Sequence, residues 1–112
     1  MQVFRLSEVE LGDGERELLV EGELDLAVAD RLREALEEID AERVLIDLSG
    51  CEFIDSTGIA VVVQAHQRAR ERGGRVAVHS PRAQVLRVLT VSGLTANGLV
   101  FENRRDATAQ LR

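Results

Sequence analysis

Hydrophobic and polar positions change their period several times along this chain, and each change marks an element. From Val3 to about Glu10 apolar and polar residues are mixed; Gly12-Asp13-Gly14 comes next, then a second apolar run, Leu18-Leu19-Val20. Gly-Asp-Gly supplies the positive-φ positions of a tight turn, so this stretch predicts a β-hairpin. From Leu26 the spacing lengthens. Ala29, Leu32, Leu36 and Ile39 recur at three and four, with Ala35 beside them, while Asp30, Arg31, Arg33, Glu34, Glu37 and Glu38 fill the other face. That is an amphipathic helix, and Asp25 is placed to cap it.

Val44-Leu45-Ile46-Asp47-Leu48 is an unbroken β-rich run, the pattern of a central strand covered by helices on both faces. Ser49-Gly50 and a short link lead to Asp55-Ser56-Thr57-Gly58, and then Ile59 to Arg72 carries apolar residues at 59, 62, 63 and 69. Val61-Val62-Val63 alone favours a strand, but the length, the capping cluster in front and Gly73-Gly74 behind predict a helix. Arg75 to His79 reads as a strand. Ser80-Pro81 is expected to open a third helix bearing Val85, Leu86, Val88 and Leu89, which Ser92-Gly93 ends. Leu99-Val100-Phe101 is a last short strand, and Asn103, with Asp106 three residues on, is placed to cap a two-turn final helix.

The resulting order, ββαβαβαβα, predicts an α/β fold: a small, mostly parallel sheet with an N-terminal hairpin and about four packed helices. A length of 112 residues suits one core, so residues 1–112 are read as a single domain. Ligands and partners of such sheets gather where loops leave the carboxyl ends of the strands. Asp25, Asp55, Ser56 and Ser80 come after successive strands and are expected on one edge.

Composition narrows the chemistry. Hydrophobic residues at 45% and charged residues at 30% argue for a chain that folds, and its net charge is −6. Every one of the 14 basic residues is Arg, so neither a P-loop nor a Schiff-base lysine can be built. An acidic chain with three Phe and no Tyr or Trp lacks the surface that direct nucleic acid binding requires. The lone Cys51 cannot form an internal disulfide, and no stretch approaches the roughly 20 apolar residues that span a bilayer. The start, Met1-Gln2-Val3-Phe4-Arg5, lacks signal-peptide patterning, and a cytoplasmic location without membrane attachment is expected.

Ser56 is the leading candidate for chemistry. Its loop presents a hydroxyl at a helix start, where unpaired N–H groups and the positive end of the dipole collect. Two readings compete there: Ser56 or Thr57 as a plain N-cap worth about 1 kcal/mol, or Ser56 as an acceptor of a phosphoryl group bearing about −1.5 to −2 charges.

Three segments carry a resemblance. Val20-Glu21-Gly22-Glu23-Leu24-Asp25, Leu45-Ile46-Asp47-Leu48-Ser49-Gly50 and Phe53-Ile54-Asp55-Ser56-Thr57-Gly58-Ile59 are similar to the signature segments of STAS domains, specifically bacterial anti-sigma factor antagonists. The resemblance covers almost the whole chain and implies a protein that is not an enzyme. It implies a partner switch, in which the unmodified antagonist binds an anti-sigma factor that is also a serine kinase and so releases a sigma factor. Phosphorylation separates the pair, and a serine phosphatase resets the system. The family's phosphorylated serine maps onto Ser56 and its neighbouring acidic position onto Asp25. Many members carry a second Ser where this chain has Thr57. Asp25, Asp55, Ser56, Thr57, Gly58, Val61 and Val62 are the expected partner-binding residues, on a chain that is monomeric when free. A second STAS role is an unphosphorylated regulatory subunit of a lipid-transport ATPase or a sensory assembly.

Other chemistries find little support. A serine hydrolase needs a base, and His66 lies about 15 Å along the same helix from Ser56. His79 stays open on distance, although no G-x-S-x-G elbow surrounds Ser56. Cys51, His66, His79 and the carboxylates show no metal-ligand spacing, so no metal and no cofactor are expected. Both histidines read as lone surface or boundary residues. Cys51 reads as buried and structural, and Asp47 as bonding nearby backbone N–H groups. Arg68, Arg70, Arg72 and Arg75 complement the end of the second helix.

Overall fold

The structure, a computed structural model, describes residues 3–111. Met1 and Gln2, part of the reading of the chain's start, and Arg112, at the end of the expected domain, lie outside them. The described residues form the predicted order of elements: β1 (Arg5–Gly12), β2 (Glu15–Leu24), α1 (Ala29–Glu38), β3 (Arg43–Ile54), α2 (Ser56–Glu71), β4 (Arg75–His79), α3 (Ala83–Val91), β5 (Val100–Phe101) and α4 (Arg104–Leu111). The strands lie side by side in chain order, β1 antiparallel to β2 and every later pair parallel. Between β1 and β2, Asp13 and Gly14 have φ of 52° and 75°, the two left-handed positions of a type I′ turn.

Sequential order has a geometric consequence. Right-handed crossovers that all step the same way place their helices on one face. Accordingly α1, α2 and α3 share one core, in which Leu32, Leu36, Val61, Val62, Val85 and Leu89 pack with Leu18, Val20, Ile46, Leu48 and Val78 of the sheet. The opposite face is covered only in part, by α4, where Ala107 and Leu111 meet Leu45 and Ala77. Both sides of β3 are thus buried at its N-terminal half, as its unbroken apolar run requires.

Three boundaries differ from expectation. β3 does not stop at Leu48. It runs on through the predicted link to Ile54, with register shifts against β2 between Leu19 and Glu21 and between Gly22 and Glu23 that absorb the extra residues. Asp25 does not cap α1: its side chain accepts from the Ala27 amide at 3.0 Å and its carbonyl from those of Val28 and Ala29, closing a turn before the helix begins. Ser80-Pro81 does not open α3 either. Ser80 is left-handed, at φ 58°, and the helix starts only after Arg82. Two other ends form as the sequence predicts: Gly73 and Gly74 bond back to Arg70 and Ala69 to close α2, and Asn103 and Asp106 cap α4 reciprocally.

Candidate functional site

The loop between β3 and α2 is built around one carboxylate. Asp55 is the N-cap of α2, and its Oδ1 accepts from the amides of Thr57 and Gly58 at 3.0 and 3.2 Å and from the Thr57 hydroxyl at 2.5 Å. The Thr57 hydroxyl bond is the largest of the influences holding the Asp55 carboxyl below its ordinary range, and the amides of Gly58, Thr57 and Leu26 add to it. Gly58 is required by the packing below: a Cβ there would lie 2.6 Å from Leu24 Cγ and 3.1 Å from Ile54 Cγ1. The helix therefore settles close onto the ends of β2 and β3.

Ser56 is the first residue of that helix and is exposed, and its hydroxyl makes no hydrogen bond to another described residue. Thr57 is half-buried and its hydroxyl is committed to Asp55. Asp25 stands beside this loop, because Leu24 is paired with Ile54 and the Asp55 amide donates to the Leu24 carbonyl at 3.2 Å. The aspartates thus lie on adjacent strand ends, with backbones roughly 5 Å apart. Asp25, Asp55, Ser56, Thr57 and Gly58 are brought together. Ser80 is not among them: β4 ends level with Asp47, seven residues before Ile54 on β3.

Partner contact at Val61 and Val62 has no surface to be made on, since they are 1% and 2% exposed. Three consecutive helical positions cannot all face inward, and it is Val63 that stands partly out. Two apolar residues the sequence did not single out, Leu26 and Phe53, are 75% and 46% exposed on the segments that flank Asp25 and Asp55. Only burial could have marked them, because an apolar residue at a strand end looks like core.

His79 is not a surface histidine. It is buried, with Nε2 2.6 Å from Glu17 Oε2 and Nδ1 2.8 Å from Ser80 Oγ, so both ring nitrogens are engaged far from Ser56. His66 is half-buried, and burial, helped by Arg70 and Arg75, holds its imidazole below the usual range. Cys51 is buried and donates to the Phe53 carbonyl, and burial pushes its thiol up. Asp47 accepts from the Ser49 amide at 2.8 Å, as the sequence suggested.

A family model described as Mlab, STAS domain matches residues 7–101. An anti-sigma F factor antagonist from Paenibacillus polymyxa is 30% identical over 94 residues, covering 80% of this chain and 80% of that relative. The chain belongs to the STAS domain family, among the anti-sigma factor antagonists. Its fold is shared with the antagonist SpoIIAA in its unphosphorylated form, at a TM-score of 0.77 and 20% identity over 98% of this chain and 96% of that one. The phosphorylated form of the Bacillus SpoIIAA superposes with a TM-score of 0.69 and 19% identity, covering 98% and 100%. Two of the signature segments of this STAS domain, at the end of β2 and from the end of β3 into α2, form the site just described, and the third, residues 45–50, lies in the middle of β3. Among the described residues no helix is long and apolar enough to cross a membrane.

Proposed function

We propose that this STAS domain is a phosphorylation-controlled partner switch: unmodified, it binds an anti-sigma factor and frees a sigma factor, and it is released when that partner's serine kinase activity phosphorylates Ser56. The observation that carries the reading is the contrast between two adjacent hydroxyls, Ser56 exposed and unbonded, Thr57 tied to Asp55. The chain supplies an acceptor oxygen and a docking surface, and the partner supplies the catalysis. A serine phosphatase restores the hydroxyl, and the exchange takes place in the cytoplasm between free monomer and complex.

The physics asks little of the scaffold. Ser56 sits at a helix N-terminus, where a dianion is tolerated, so the helix behind it stays folded. Asp25 and Asp55 already make the edge acidic, so the gain falls on the interface. Each tenfold loss of affinity needs only about 1.4 kcal/mol, and burying a dianion beside two carboxylates exceeds that several times over. The partner's contacts then fall on Ser56, Asp25 and Asp55, with Leu26 and Phe53 as apolar anchors in place of Val61 and Val62.

Incubation with ATP and the kinase encoded nearest the gene, followed by mass spectrometry, tests this. Phosphate at Ser56, absent from Ser56→Ala, supports it, together with loss of the complex on modification. The second role that the resemblance implies, a regulatory subunit of a lipid-transport ATPase, is the competing reading. Stable binding to such an ATPase without modification would replace the first reading by the second.

A further inference from the structure

The face of the sheet that carries α4 holds a second group of chemistry-bearing side chains, on strand positions well away from Ser56. We propose that Glu17, Asp47 and His79 form a binding site for a divalent transition-metal ion, with zinc the cation their donors suit best. Three adjacent parallel strands bring them together: Asp47 is in register with His79 on one side and with Leu19, two residues past Glu17, on the other. One donor atom from each lies within 4.8 Å of the other two. Glu17 and His79 are buried, at 7% and 2% exposure, and Asp47 is half-buried.

Two of the three are also held from behind, as metal ligands are, and the third is held by a cation. The Ser49 amide holds Asp47 Oδ1, Ser80 Oγ stands 2.8 Å from His79 Nδ1, and Arg104 Nη2 lies 3.1 Å from Glu17 Oε1. Two carboxylates and an imidazole are a borderline-hard set that suits Zn²⁺. Bonds of about 2.0–2.2 Å to a tetrahedral zinc put its donors roughly 3.3 Å apart. The 2.6 Å between His79 Nε2 and Glu17 Oε2 opens slightly and the wider separations close. Binding at Nε2 takes the neutral ring in its other tautomer: the one ring proton leaves Nε2 for solvent and is replaced on Nδ1, where Ser80 Oγ accepts its hydrogen bond. One coordination position remains for water.

Arg104 is the competitor. Its Nε bridges both Glu17 oxygens at 3.1 and 3.2 Å, occupying with a fixed charge part of the space a cation needs. Its side chain is half exposed, so it can withdraw toward solvent while α4 stays seated on Leu45 and Ala77. Removing that guanidinium should therefore strengthen metal binding, the opposite of what a purely structural ion pair requires.

Chelator-treated full-length protein without a histidine tag is titrated with ZnCl₂ by calorimetry and with CoCl₂ by visible absorption. One ion per chain is expected, with a tetrahedral cobalt spectrum. Affinity should fall by more than the roughly 10- to 100-fold that loss of an outer partner costs in Glu17→Gln and His79→Asn, hold in Cys51→Ser and His66→Gln, and rise in Arg104→Ala. Should either site variant fail to fold by circular dichroism, cobalt broadening of the His79 but not the His66 ring signals in wild-type protein decides the matter. Absence of saturable binding, binding that survives His79→Asn, or binding lost in Cys51→Ser would overturn the site. None of these results bears on Ser56.

Discussion

Asp25 and Asp55 close neighbouring parallel strands, yet they build different loops. The Asp55 side chain bonds directly into the first turn of α2, whereas the Asp25 side chain bonds only within its own turn and α1 begins four residues later. The difference lies in the next three residues of each loop. After Asp55, the missing side chain of Gly58 lets the helix drop onto Leu24 and Ile54. After Asp25 come Leu26, Ala27 and Val28, with Leu26 turned out to solvent. One loop is a rigid mount for a hydroxyl and the other an open lip beside it. A strand-end aspartate caps a helix only where its successors allow the helix to reach it.

Removing the close approach should disturb this contrast most. Gly58→Val gains a few tenths of a kcal/mol in helix propensity, against about 2–3 kcal/mol of overpacking at Leu24 and Ile54. Overpacking wins, and the urea midpoint should fall with its slope unchanged. At the matching place in the other loop, half-buried Val28→Ala should cost less than about 1 kcal/mol. Equal losses at the two sites would show that the loops are mounted alike.

The aspartates themselves come next. Asp55→Ala should destabilise by about 1–2 kcal/mol, the loss of a working N-cap, and raise amide exchange across the first turn of α2. Asp25→Ala should cost about 0.5 kcal/mol, the value of an exposed turn bond, and leave exchange in α1 unchanged. Smaller again is Ser56→Ala, within about 0.5 kcal/mol on the same urea curve, while Thr57→Val loses about 1 kcal/mol with its bond to Asp55.

These loops also show what a sequence can disclose. Element order, the hairpin turn and the end of α2 were legible because periodicity and glycine placement are local signals. Asp55-Ser56-Thr57-Gly58 was legible as a site because a capping cluster and a family motif coincide there. The length of β3 was not, since Ser49-Gly50 resembles a turn until pairing with β2 continues the strand through two irregularities. Nor was the fate of Glu17: alternating acids in a strand look solvent-facing, and the contact that marks Glu17 as buried comes from Arg104 on α4, 87 residues away. Val61 and Val62 were expected at the partner because three consecutive valines must be divided between core and surface, and the sequence alone does not say which of them turns out; it is Val63.

The two mounts also differ in their response to pH, the weakest of these effects. Capping holds the Asp55 carboxyl below its ordinary range, so in the folded chain it ionises more readily than in the unfolded chain, whose value is about 3.9. Above that value the carboxylate contributes its full stabilisation, and as pH falls through the folded value the contribution is lost. Because Asp55 is partly exposed, water screens the effect and the loss stays smaller than that of the Asp55→Ala variant at neutral pH. Urea curves collected from pH 5 down to pH 2.5 should therefore converge, with wild type and Asp55→Ala differing less at the acid end. A gap that stays constant over that range would mean that the capping oxygen works equally well protonated, and that the charge on Asp55 has no part in mounting Ser56.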